Sequence, residues 1–140
     1  MPLSDGTIEQ FVGGVLGCGC PAAVFQSVTL EDNPSAFADL VPARLIRIGG
    51  RLLVLLLDVR EREAAALPLE QLFARGRQLR DSQGYNRFRL VVAAPASVHR
   101  PLAQRFTGLD LPDERLHLHV VSAGQLPPAL AAPLQHGVLS

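Results

Sequence analysis

ARLIRIGGRLLVLLLDV, residues 43 to 59, decides the fold. Ala43 to Ile48 and Arg51 to Val59 are leucine-rich or β-branched runs separated by Gly49-Gly50, the composition of a tight two-residue hairpin turn. Two antiparallel strands are therefore expected. Leu52 to Leu57 is apolar at every position and not at alternate ones. A strand of that kind is covered on both faces and lies inside its sheet.

Working outward, Pro68 to Gln83 carries Leu69, Leu72, Phe73 and Leu79 along one helical stripe, with a proline suited to the first turn and Gly84 as its stop. Arg87 to Ala94 is a predicted strand. Ser97 is placed to cap a following helix that tolerates Pro101 in its first turns and ends near Gly108. Leu116 to Val121 is the last predicted strand. Upstream, Ile8, Phe11, Val12, Val15 and Leu16 repeat at helical spacing within Thr7 to Leu16, and Ala22 to Leu30 contains a strand closed by the turn cluster Glu31-Asp32-Asn33-Pro34.

The expected order is α-β-β-β-α-β-α-β. Strands joined through helices pair in parallel by right-handed crossovers, so with the hairpin the fold is an α/β domain with a mixed β-sheet flanked by helices. Residues 1 to 124 are expected to form the domain, and 125 to 140 a proline-punctuated tail that drapes over the surface or docks on a partner.

With 140 residues, 48% of them hydrophobic and 19% charged, the chain has the composition of one globular domain with a real core. MPLSDGTIEQF lacks the basic start of a signal peptide, and no apolar run approaches the roughly 20 residues that span a bilayer. No membrane association and a cytoplasmic location are expected. Net charge is zero but uneven: residues 1 to 43 hold five acids and no base, while residues 72 to 109 hold seven arginines and only Asp81. Arg75, Arg77, Arg80, Arg87 and Arg89 are read as a solvated face paired with that acidic third, within the molecule or across a dimer. Without an aromatic platform, nucleic-acid binding is not expected.

The two cysteines stand one residue apart in GCGCP, residues 17 to 21. Gly19 permits a turn that brings Cys18 and Cys20 within reach of a strained and easily reduced disulfide. If Pro21 opens a helical turn, Cys20 lies at its N-cap, where the helix dipole favours a thiolate; Cys18 would then be the resolving partner. The same pair makes half of a zinc or iron–sulfur site, with His117 and His119, two apart on one strand face, as candidates for the rest. Two cysteines that merely pack as small hydrophobes are the third reading.

Ser97 and His99 follow a strand end, where α/β sheets tend to bind ligands, but no acid completes a triad and no G-x-S-x-G elbow exists. No nucleotide-binding glycine motif occurs. The order helix, three strands, helix, strand over roughly residues 7 to 94 resembles the core of restriction-endonuclease-like proteins. That resemblance implies an acid on the second strand and an E-x-K type motif on the third, together holding a metal ion. The matching place on the third strand reads Asp58-Val59-Arg60, with arginine for lysine, and Ala43 to Ile48 carries no acid. The resemblance thus implies a degenerate domain without nuclease activity.

The expected functions are a small thiol-based accessory protein that uses Cys18 and Cys20 for redox exchange or soft-metal binding, or a non-catalytic interaction module whose partner is another protein or a second copy of itself. No cofactor is required by either, with zinc or an iron–sulfur cluster as the options.

Overall fold

The computed structural model describes residues 28–41, 43–49, 51–109 and 116–122. Within them lie strands β1 (Val28–Asp32), β2 (Arg44–Ile48) and β3 (Leu52–Asp58), helices α1 (Glu61–Ala65) and α2 (Leu69–Gln83), strand β4 (Arg87–Ala93), a 3-10 turn (Ala96–Val98), helix α3 (His99–Gly108) and strand β5 (Leu116–Val121). The expected helix over residues 7 to 16 and the tail from 125 lie outside the described residues.

The strands form one mixed sheet in the order β1-β2-β3-β4-β5. The first three make an antiparallel meander, and β3, β4 and β5 run parallel. As the pattern of residues 43 to 59 requires, β3 is central, and Leu52 through Leu57 are all buried.

The hairpin is one residue longer than a two-residue turn. Ile48 stands opposite Leu52, so residues 49 to 51 link the strands, and the Arg51 amide donates to the Ile48 carbonyl at 3.0 Å. Gly49 takes a φ of 58°, the left-handed conformation that glycine adopts without strain. Arg51 leaves the β2 ladder because its carbonyl serves the next strand pair: the amides of Asn86 and Arg87 donate to it at 2.8 and 3.1 Å.

Strand β1 continues through Glu31 and Asp32, which the sequence reading assigned to a turn. Both acids are held by arginines of the neighbouring strand. Arg44 Nε donates to Asp32 Oδ1 at 2.6 Å, from directly across the ladder, and Arg47 Nη1 donates to Glu31 Oε1 at 2.8 Å. The turn begins at Asn33, whose amide donates to the Ala43 carbonyl at 2.7 Å.

Two connections also depart from expectation. The run Glu61-Arg62-Glu63-Ala64-Ala65 consists of good helix formers and folds into the short α1, with Glu63 Oε1 accepting from the Arg60 amide at 3.0 Å. Ser97 is not a side-chain cap. It lies inside the 3-10 turn, where the Val98 amide donates to the Pro95 carbonyl at 3.1 Å, and α3 begins at His99.

The steps β3 to β4 and β4 to β5 move the same way across the sheet. Right-handed crossovers then place α2 and α3 on the same face. There Leu69, Leu72 and Phe73 of α2 and Leu102 of α3 pack on Leu53, Leu55 and Leu57 of β3 and Phe88, Leu90 and Val92 of β4. The Phe88 ring is the pivot, stacked on Phe37 at 6.2 Å and met edge-on by Phe73 at 6.0 Å. It also fills the space above Gly76, whose missing side chain lets α2 lie directly on the ring.

Part of the acidic stretch is paired within the molecule, but the arginines expected to form one solvated face do not all lie on it: Arg75 meets that stretch, while Arg80 and Arg89 are only 6% exposed. Besides the two β1–β2 pairs, Arg75 of α2 makes a two-pronged contact with Asp39, its second arm at 2.8 Å. Arg77 and Arg80 turn instead to Asp81, at 4.0 and 2.9 Å. No helix among the described residues is long and apolar enough to cross a membrane.

Candidate functional site

Cys18 and Cys20 lie outside the described residues, so the GCGCP loop has no geometry to report. Its proposed partners do. His117 and His119 are on β5, opposite Arg89 and Val91 of β4, and share the sheet face turned away from α2 and α3.

His119 Nε2 and Arg89 Nη1 are 2.7 Å apart. A guanidinium has only donors, so Nε2 accepts and the ring proton of a neutral His119 belongs on Nδ1. Burial, followed by the charge of Arg89 and the neighbouring His117, pushes the His119 pKa down to about 4. A metal ion seeking Nε2 would have to displace the guanidinium of Arg89, a side chain only 6% exposed.

The C-terminal ends of the parallel strands form the second candidate region. Asp58 ends β3 exposed, opposite Ala93, and the Val59 amide donates to the Ala93 carbonyl at 2.9 Å. The Ala94 amide in turn donates to the Val121 carbonyl at 2.9 Å, and His99 Nε2 lies 2.8 Å from the Ala94 carbonyl, to which it donates. His99 therefore ties the start of α3 to the end of β4, and Ser97 is exposed beside it.

The surroundings of Asp58 decide what it can do. Side chains alternate along a strand, so Leu56 and Asp58 share a face, and Arg44 of β2 stands opposite Leu56 on that face. The residue before it is the buried Ala43. A metal-dependent site needs a second carboxylate near Asp58; among the described residues, β2 supplies to this face a guanidinium that is 4% exposed and clasped by Asp32, while Ala43 belongs to the core on the opposite face. Among the described residues, no three histidine, cysteine, aspartate or glutamate side chains come together as metal ligands.

Two pairs were not singled out from the sequence, Arg44 with Asp32 and Arg89 with His119. For Arg44 there was a signal: it alternates with Ile46 and Ile48, which places a charge on a covered strand face. Arg105 likewise has a structural task. Its guanidinium donates to the carbonyls of Ala64 and Leu67 at the end of α1. Comparisons with protein-family models, curated proteins and solved structures find no match for this chain.

Proposed function

We propose that this chain is a non-catalytic interaction domain: an α/β core whose order of helices and strands resembles that of restriction-endonuclease-like proteins, carrying Arg44 in place of the second metal-binding acid. The observation that carries this reading is Arg44, buried on the same sheet face as Asp58 and one register step away. Its guanidinium engages Asp32, the other acid of that face among the described residues, so Asp32 is not offered to a divalent cation beside Asp58.

The partner is a second copy of the chain, docked edge to edge. Among the described residues β1 pairs only with β2, leaving its outer hydrogen-bonding edge as a template for another strand. Leu30, the middle residue of β1, is 39% exposed, the one large hydrophobic side chain with that exposure among the described residues. Antiparallel pairing of β1 with its copy about Leu30 gives the self-complementary contact of a two-fold dimer.

Sedimentation velocity over a wide concentration range tests this. The expected result is a reversible rise in sedimentation coefficient with concentration, abolished by Leu30→Lys, since an edge lysine opposes strand addition. A monomer at every concentration contradicts the self-docking reading. A thiol role for Cys18 and Cys20 is a separate proposal resting on the GCGCP sequence alone; modification of either thiol in the native protein supports it, and reaction only after unfolding excludes it.

A further inference from the structure

Arg51 and Arg87 stand side by side at the N-terminal ends of the parallel strands. Leu52 is opposite Arg87 in the register, and the Arg51 carbonyl accepts from the Arg87 amide at 3.1 Å and from the Asn86 amide at 2.8 Å. One strand across and one position along separate their α-carbons by about 6 Å. Both side chains are exposed, and neither guanidinium forms an ion pair or a side-chain hydrogen bond among the described residues.

The acids on the elements around this corner are engaged elsewhere. Glu31 of β1 accepts from Arg47, and Asp81 in the last turn of α2 accepts from Arg80. The exposed Asp58 lies at the far end of β3, on the order of 20 Å away. Like charges on neighbouring strands destabilise a sheet. The field of Arg87 also reaches Arg89, two residues along the same face: after burial, the charge of Arg87 is the next cause that lowers the Arg89 pKa. The corner thus concentrates positive charge around Arg51 and Arg87.

We propose that Arg51 and Arg87 form an anion site that takes a phosphate group. Two guanidiniums balance the charge of a phosphate dianion, whereas a single carboxylate leaves one of them uncompensated. Each guanidinium is a planar fork whose parallel donors fit two phosphate oxygens, and two arms rooted about 6 Å apart reach one phosphate from two sides. Because both arms are exposed, the site grips the phosphate itself and leaves whatever carries it in solvent. It is also separate from the place of the nuclease-like resemblance, which is Asp58 at the other end of β3.

The test is a titration of the full chain with inorganic phosphate at constant ionic strength, read at the backbone amides of Arg51, Asn86 and Arg87 and at the arginine Nε–H signals. The expected result is a saturable shift centred on these residues, weakened about tenfold by Arg51→Gln or Arg87→Gln. Arg100→Gln, which removes an exposed arginine at the opposite end of the sheet, leaves the binding unchanged. Phosphate also raises the unfolding midpoint of the parent and not of the two corner variants, since a ligand held only by the folded chain stabilises it. Without phosphate those variants are as stable as the parent, because each removes one of two like charges. Phenyl phosphate shifting the same amides assigns the ligand to an ester, and a response to inorganic phosphate alone assigns it to the free anion; both uphold the site. No saturable shift, a shift that survives both corner substitutions, or tighter binding of a glutamate hexapeptide or a DNA oligonucleotide at the same amides overturns the proposal.

Discussion

Gly76→Ala is expected to destabilise the fold by about 2 kcal/mol, although alanine is the better helix former. A β-carbon at position 76 would lie 2.5 Å from Cδ2 and Cζ of Phe88, well inside van der Waals contact. The ring cannot swing aside, since it is fully buried between Phe37 and Phe73. Helix α2 must therefore lift from the sheet. The gain of about 1 kcal/mol from replacing an interior glycine is smaller than the cost of overpacking. Urea unfolding measures the effect as a lower midpoint with an unchanged slope. Phe88→Leu, which trims the ring, is expected to recover part of the loss, so that the two changes together cost less than their sum. A Gly76→Ala protein as stable as the parent would mean that α2 does not rest on Phe88.

The second large effect is a loss of stability in mild acid. His119 is neutral in the folded state with its pKa lowered from 6.5 to about 4, so the unfolded chain binds a proton more readily than the folded one. The contribution of this group is fully present above pH 6.5 and is lost as pH falls from there to about 4. The shift sets an upper bound of about 3 kcal/mol; because the ring is only half-buried, water screens part of it, and a loss of about 1–2 kcal/mol is expected. Unfolding midpoints at pH 7.5, 6 and 4.5 check this. His119→Gln keeps a hydrogen-bond acceptor for Arg89 without the titration, and its stability should be flatter over the same interval. Identical pH profiles for parent and variant would show that His119 does not carry the effect.

The parts of the fold that the sequence revealed are those governed by local pattern. The continuous apolar run of β3 and the spacing of Leu69, Leu72 and Phe73 place a central strand and its covering helix without tertiary information. Strand β5 spans the predicted residues for the same reason. What escaped depends on partners distant in sequence. Glu31 and Asp32 have the composition of a turn, and only Arg44 and Arg47 across the ladder draw them into β1. Arg51 has the composition of a strand residue, yet its carbonyl is claimed by β4. At the candidate sites, the equal spacing of His117 and His119 correctly put both on one strand face. That Arg89 would occupy His119 Nε2 was not legible, because a strand pairing separates them by 30 residues.

Asp58 was the residue on which the nuclease-like resemblance turned, and the sequence already gave arginine for lysine at position 60. A cation, Arg44, lies on the same face one step away, and Asp32 is engaged with it.

The most direct measurement of the central claim is a manganese or magnesium titration of the full chain followed by the backbone amide signals of Asp58, Val59 and Arg60, run beside incubation with DNA and RNA in the same metal. The account predicts no saturable shift at these amides and no cleavage above buffer, with Asp58→Asn indistinguishable from the parent. A saturable shift centred on Asp58, with metal-dependent cleavage that Asp58→Asn abolishes, would contradict it and make the end of β3 a working metal site.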